Sequence, residues 1–406
     1  MAKSSNKELI KELLERSVDK IYPSKEALEK LLGSGKRIRL YNGVDATGEH
    51  LHLGHLTNFL VLKRFRDLGH EVIFLIGDFT SRVGDPTDKL AVRKPLSEAE
   101  IRKNFKTFKV QAGKIVKFSG KNAAKVMFNS KWHKRMKFED LLKLAGNFTV
   151  QQMIKRDMFQ KRLSESKDIN LVEFLYPLMQ GYDSVALDVD LEVGGTDQTF
   201  NMLRGRDLMK AYRHKEKFVL TTKLLENPKT GKKLMNKSEG GLINLDDDPN
   251  DIFGKVMALP DEAILPVAEF STEMPMDQVK SLFKMKPRDA KVKVAHFVVQ
   301  TIYDSRAAKT AEERFDKLFS KKDINADELP EWKCKKSKLS LLDLLTSPQD
   351  ASHSSLKSKT KWRILIGDGA IKLNGKTKSD PWEVVTVRDG DILKNSAKDY
   401  FRIKIG

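Results

Sequence analysis

The chain has 406 residues, 40% of them hydrophobic, enough for two or three domains with sizeable cores. A formal charge of +19, from 75 Lys and Arg against 56 Asp and Glu, points to a polyanionic partner or, more blandly, to a solubility or habitat trait. The single Cys334 excludes an internal disulfide framework and suits a reducing cytoplasm, no signal peptide is read at the start, and no apolar run approaches the roughly 20 residues of a membrane helix.

In chain order, Lys7 to Val18 reads as an amphipathic helix, and alternating strands and helices follow from about Ile38 to Leu225. That alternation predicts an α/β fold, a doubly wound parallel sheet with ligands at the carboxyl ends of its strands. The strand candidates are Ile38 to Val44, Val72 to Ile76, Ala124 to Phe128 and Phe218 to Thr222. After the first strand comes Asp45-Ala-Thr-Gly-Glu-His-Leu-His-Leu-Gly-His55, and then a helix with apolar residues at Leu56, Phe59, Leu60, Phe65 and Leu68. A helix start offers unpaired N–H groups and a positive dipole end, Gly54 lacks a Cβ that would hold a ligand off, and imidazoles placed there can donate to phosphate oxygens. Phe138 to Arg162 reads as a helical insertion, and the uncharged, largely apolar run Phe174 to Tyr182 puts Asp183 at the edge of a closed pocket. About 180 residues beyond the histidines lies Gly231-Lys-Lys-Leu-Met-Asn-Lys-Ser-Glu-Gly-Gly241, a basic loop flanked by glycines.

From Pro249 to about Leu318 the pattern is helical, with a helix at Asp251 to Met257 and a helix start at Pro260-Asp-Glu. A charged stretch, Lys321 to Lys338, reads as a linker, and Leu339 to Leu345 is apolar. Asn374-Gly375 between short apolar segments is a hairpin signal, and Tyr400 to Ile405 reads as a last strand. From Glu331 onward there are 16 Lys and Arg against 9 Asp and Glu, suited to an RNA backbone.

The histidine corner and the lysine loop together resemble the two signatures of class I aminoacyl-tRNA synthetases. Four further blocks narrow the resemblance to the bacterial tyrosyl-tRNA synthetases: Tyr41-Asn-Gly-Val-Asp45-Ala-Thr47 before His52-Leu-Gly-His55; Gly84-Asp85-Pro86-Thr-Asp-Lys89-Leu-Ala-Val-Arg93; Tyr176-Pro-Leu-Met-Gln180-Gly-Tyr-Asp183; and Glu192-Val-Gly-Gly195-Thr-Asp197-Gln198. The resemblance implies a Rossmann-type catalytic domain over 1–248 with a connective insertion at about 130–170, a helical anticodon-contacting domain over 249–320, a linker over 321–338, and over 339–406 a small α+β RNA-binding module of the ribosomal small-subunit protein type. It also implies dimerisation through the insertion, where Arg156 and Arg162 would meet the tRNA acceptor stem.

For the site, the resemblance implies that Tyr41 and Asp183 hold the substrate phenol, and that Tyr176, Gln180 and Asp85 hold its ammonium group. Thr47, His52, His55, Lys89, Arg93 and Lys237 would stabilise charge on the transferring phosphate and pyrophosphate, so no Ser/His/Asp triad is required. Gly54, Gly195, Asp197 and Gln198 would contact ATP, its ribose included, with Asp45 contributing from the end of the first strand. Leu234 stands where the loop signature has its first lysine and Asn236 replaces its first serine, which leaves Lys233 and Ser238 as further loop candidates. Ala46 replaces a frequent proline, and Glu192 stands where some relatives carry glutamine, a subfamily difference read as leaving the chemistry unchanged. The implied substrates are L-tyrosine, tRNA(Tyr) and ATP with Mg2+; no tightly bound cofactor, protein metal site or membrane is expected, and the enzyme would be a cytoplasmic homodimer. Two alternatives stay open: tryptophan activation, and a non-catalytic RNA-binding paralogue suggested by the altered Leu-Met-Asn-Lys-Ser loop.

Overall fold

Strands β1 (Val18–Tyr22), β2 (Arg39–Val44), β3 (Glu71–Ile76), β4 (Lys125–Phe128), β5 (Leu191–Gly195) and β6 (Phe218–Thr222) form one sheet in the order β1-β6-β5-β2-β3-β4. The computed structural model describes residues 6–85, 97–235, 241–319, 329–334, 336–346, 358–395 and 400–406. These fall into two compact units, Met1–Glu313 and Arg314–Gly406. In the first unit all strand pairs are parallel except β1 with β6. β3 is buried over five of its six residues, the near-continuous apolar run expected of a strand covered on both faces, whereas β1 is largely open to solvent at the edge.

The order of the strands makes the cleft. From β2 the chain moves outward to β3 and β4, then returns to β5 and β6 on the other side, so the switch point lies between β2 and β5. β2 pairs with β3 up to Val44↔Ile76 and β5 with β6 up to Gly195↔Thr222, but β2 and β5 pair only at Leu40↔Leu191 and Tyr41↔Glu192. Beyond Tyr41 the two strands part, and the Asn42 side-chain amide donates to the Val193 carbonyl at 2.8 Å where the ladder ends.

Helices α1 (Asn6–Glu15), α2 (Lys25–Gly33), α3 (Leu53–Asp67), α4 (Glu98–Val116) and α5 (Ser130–His133) precede the insertion, which supplies α6 (Phe138–Ala145), α7 (Val150–Ile154) and α8 (Asp157–Ser164). The Ser97 hydroxyl caps α4 while Glu100 accepts from the Ser97 N–H, a capping box readable in sequence. α9 (Leu171–Leu187) and α10 (Thr199–Arg213) touch at glycines: a Cβ on Gly181 would fall 2.9 Å from Leu208 and 3.1 Å from the Gly205 nitrogen. Leu178, Val185, Leu208 and Met209 fill the seam, each contributing about 1.5–3 kcal/mol by burial. Arg156 and Arg162, expected to face RNA, are instead 5% and 3% exposed. Arg162 forms a two-pronged ion pair with Glu173 (2.5 and 3.0 Å), because a guanidinium fork buried beside a carboxylate is satisfied internally.

Beyond the sheet, α11 (Pro249–Met257), α12 (Ile264–Phe270), α13 (Met276–Ser281), α14 (Pro287–Ile302) and α15 (Ser305–Phe319) follow in succession. In the second unit β7 (Glu331–Cys334), β9 (Ile371–Leu373), β10 (Lys376–Lys378), β12 (Ile392–Lys394) and β13 (Tyr400–Ile405) form a sheet in the order β10-β9-β12-β13-β7, while β8 (Lys338–Ser340) pairs with β11 (Val384–Thr386). The stretch read as a linker thus ends in strand residues. Asn374 and Gly375, both with positive φ (49° and 79°), make the β9–β10 turn. Trp332, Trp362, Ile371 and Leu393 form the core together with α16 (Leu341–Thr346) and α17 (Lys359–Gly367).

Candidate active site

Where β2 and β5 part lies a cavity of about 350 Å³. Its lining includes Tyr41, Asp45, Thr47, His52, Gly54, His55, Asp85, Tyr176, Gln180, Asp183, Gly195, Asp197, Gln198 and Lys233. Residues far apart in sequence therefore converge as expected. Lys89, Arg93, Lys237 and Ser238 lie outside the described residues.

At one end, Asp183 on α9 is 3% exposed and held by three donors. Its Oδ1 accepts from Trp132 Nε1 and His133 Nε2, both at 2.7 Å, and its Oδ2 accepts from Asn129 Nδ2 at 3.3 Å. Burial raises its pKa, and the bonds from His133, Trp132 and Asn129 oppose the rise. Tyr41, fully buried on β2, has its Oη 3.0 Å from Ser184 Oγ; burial, then Glu192 and Asp183, keep the phenol protonated. None of Asn129, Trp132, His133 and Ser184 was singled out from sequence: Asn129, Trp132 and His133 come from the end of β4 and from α5, some 50 residues before Asp183, with no local motif to mark them.

Midway, Asp85 accepts from Arg156 (2.7 Å), Gln198 (2.8 Å) and Asn201 (3.3 Å). Asp45 accepts from the Thr80 hydroxyl at 2.7 Å and the Tyr176 hydroxyl at 3.0 Å. Burial pushes the Asp45 carboxyl up to about 7, with the Thr80 and Tyr176 bonds opposing and Asp85 and Asp183 adding to the rise. Gly77, just after β3, leaves the room Asp45 and Thr80 occupy, since a Cβ there would run into both.

At the other end, α3 starts with His52 as its N-cap. His52 Nδ1 accepts from the Gly54 N–H and His55 Nδ1 from the His52 N–H, both at 3.2 Å, so neutral rings carry their proton on Nε2. The missing Cβ of Gly54 makes room for the His52 ring itself, which a Cβ would approach to 3.1 Å. Across the cleft, Lys233 Nζ pairs with Asp197 at 3.0 Å. A Cβ on Gly195 would lie 2.7 Å from the Asp197 carboxylate. One cleft thus offers a buried phenol-and-carboxylate reader, a carboxylate-and-amide patch suited to an ammonium, and a helix start with imidazoles and a lysine suited to phosphates. Among the described residues, no group of three or more His, Cys, Asp or Glu is arranged to hold a metal ion.

Residues 34–320 match the family described as tRNA synthetases class I (W and Y). The chain is 38% identical to the tyrosine–tRNA ligase of Carboxydothermus hydrogenoformans, covering 97% of this chain and 95% of that one, and 36% identical to that of Thermotoga maritima, covering 97% of each. Among solved structures, the truncated mitochondrial tyrosyl-tRNA synthetase of Coccidioides posadasii aligns with a TM-score of 0.62 at 25% identity, over 77% of this chain and 92% of that one. The Archaeoglobus fulgidus tyrosyl-tRNA synthetase complexed with L-tyrosine shares the fold at a TM-score of 0.58 and 21% identity, over 76% of this chain and 100% of that one. With the cleft at the switch point of its sheet and relatives matched over nearly their whole length, this chain belongs to the class I tRNA synthetases, among the tyrosine–tRNA ligases.

Proposed function

We propose that this cleft activates tyrosine with ATP and passes the tyrosyl group to the 3′ end of tRNA(Tyr). The observation that carries the reading is the buried Tyr41 and Asp183 pair in the same cavity as the His52–His55 helix start. A tyrosine carboxylate oxygen attacks the α-phosphorus of ATP and the bond to the bridging oxygen breaks, releasing pyrophosphate. A ribose hydroxyl of the tRNA then attacks the carbonyl of the mixed anhydride, and AMP leaves. No enzyme nucleophile is needed, so catalysis is positioning and charge stabilisation.

Tyr41 and Asp183 hold the phenol; Asp85, Tyr176 and Gln180 hold the ammonium. Gly54, Asp45, Gly195, Asp197 and Gln198 serve ATP, and Thr47, His52, His55, Lys89, Arg93 and Lys237, with Lys233 and Ser238, serve its phosphates. Magnesium is part of the ATP substrate. Exposed Phe138, Leu142, Val150 and Leu171 (75%, 57%, 68% and 80%) on and around the insertion support a homodimer through that face, and a monomeric mass in sedimentation equilibrium would remove this reading. In the second unit Arg363 stacks on the exposed Trp382, a platform suited to RNA. No helix among the described residues is long and apolar enough to cross a membrane, and with the lone Cys334 this supports a cytoplasmic enzyme.

The test is exchange of labelled pyrophosphate into ATP with tyrosine, tryptophan or phenylalanine. The expected result is exchange with tyrosine, with kcat/KM for phenylalanine lower by roughly ten-thousand-fold and no exchange with tryptophan; exchange with tryptophan, or none from folded protein, overturns the proposal.

A further inference from the structure

Behind the cavity wall lies a buried ion pair that the two reaction steps do not consume. Lys217, just before β6, and Glu192, on β5, have side chains 0% and 2% exposed and are in direct contact. Lys217 Nζ also donates to Ser184 Oγ at 2.8 Å and to the Met202 carbonyl at 3.2 Å, so its three protons all have acceptors. α10 makes room for it: a Cβ on Gly205 would fall 2.5 Å from Lys217 Nζ and 2.7 Å from Ser184 Oγ. Desolvation makes such a pair a poor source of stability, so its presence calls for another reason.

The reason lies in the hydrogen-bond polarity of the two groups. An ammonium only donates and a carboxylate only accepts. Ser184 Oγ accepts from Lys217 and has two acceptors within reach of its own proton, Tyr41 Oη at 3.0 Å and Glu192 Oε2 at 3.5 Å, of which Tyr41 is the nearer. With Ser184 donating to it, Tyr41 Oη has its own proton for the cavity, where the Gln180 carbonyl at a long 3.5 Å and the Glu192 carboxylate are the competing acceptors. On the other side, Glu192 Oε1 accepts from Gln180 Nε2 at 3.1 Å, which leaves Gln180 Oε1 as the acceptor, already facing Asn201 Nδ2 at 2.9 Å.

We propose that the Lys217–Glu192 pair sets the direction of the hydrogen bonds at both ends of the bound amino acid. Through Ser184, Lys217 makes Tyr41 a donor to the phenol oxygen of the substrate, whose own proton then goes to Asp183; Glu192 makes Gln180 an acceptor for the substrate ammonium. Both members of the pair are positioning residues, and the inference rests on the tyrosine-site assignment above. It also gives chemical weight to Glu192, whose glutamate the sequence reading treated as leaving the chemistry unchanged. A glutamine there has one oxygen for two donors, and the charged Lys217 takes it, leaving an NH2 group against the amide of Gln180.

The two arms are tested separately by tyrosine- and phenylalanine-dependent pyrophosphate exchange. Ser184→Ala cuts only the phenol arm: kcat/KM for tyrosine falls roughly tenfold or more, while that for phenylalanine and the KM for ATP stay within about twofold. Glu192→Gln cuts only the ammonium arm: kcat/KM falls roughly tenfold for both amino acids, and their ratio holds within about twofold. General loosening of the fold would not produce this crossed pattern. An unchanged tyrosine-to-phenylalanine ratio in Ser184→Ala, a conservative change expected to fold, overturns the proposal by itself, as does a folded Glu192→Gln with unchanged kinetics. Tyr41→Phe and Gln180→Ala are the controls: if neither affects tyrosine exchange, the site assignment has failed, and if they do while the test variants do not, only this inference has.

Discussion

The two ends of the cleft are built differently. At the end proposed for the amino acid, Asp183 and Glu192 are 3% and 2% exposed, and their partners Trp132, His133, Gln180 and Lys217 converge on them from α5, α9 and the start of β6. At the end proposed for the nucleotide, the paired side chains of Lys233 and Asp197 are 37% and 24% exposed. Distinguishing a phenol from a phenyl ring depends on one hydroxyl, and a dry, fixed carboxylate with an acceptor position left unfilled by the wrong substrate gives the sharpest rejection. A triphosphate carries charge that shifts as pyrophosphate leaves, and half-solvated lysines on flexible stems suit that task.

The sharpest way to break this contrast is Asp183→Asn. An amide NH2 would face the Trp132 and His133 donors, and kcat/KM for tyrosine should drop by roughly 100- to 1,000-fold, measured by pyrophosphate exchange. Next is His55→Ala, which removes an Nε2 donor at the helix start and should lower kcat about 100-fold while leaving the KM for tyrosine within about twofold. If the KM for tyrosine rises instead, the two ends are not separate. Lys233→Ala should have a milder effect, raising the KM for ATP roughly tenfold with tyrosine affinity unchanged, because an exposed point charge contributes less than a buried one.

The smallest effect is a pH slope. The folded-state pKa of Asp45 lies above its unfolded value, at about 7 against 3.8, so the stability linked to its protonated form is present at low pH and is lost as pH rises through about 7. Thermal melts of the ligand-free protein from pH 5 to 8 should show this decline, and Asp45→Asn should flatten it by roughly 2–4 °C of Tm. An identical slope in both proteins would show that Asp45 is already ionised at the low end.

What was legible in sequence was what is encoded locally. Asn374-Gly375 announces its turn because those two residues tolerate positive φ. The site blocks were legible for a related reason, since each gathers its candidate residues in one short run of chain, as at His52–His55 where α3 starts and Tyr176–Asp183 within α9. β1 was not found because a five-residue edge strand buries little, and β5 was read only as a motif because glycines at 194 and 195 weaken a strand pattern.

The sequence by itself determined the fold class, the helix start that carries His52 and His55, and which residues are candidates for reading the amino acid, since periodicity, capping and short motifs act over a few residues. Only the tertiary structure decided which groups stand behind those readers: Trp132 and His133 against Asp183, Arg156 against Asp85 rather than RNA, and Lys217 against Glu192. Those partners lie 25 to 71 residues apart in the chain. They meet because β2 and β5 part at the switch point and α9 crosses behind them, and burial then makes each charge find a partner.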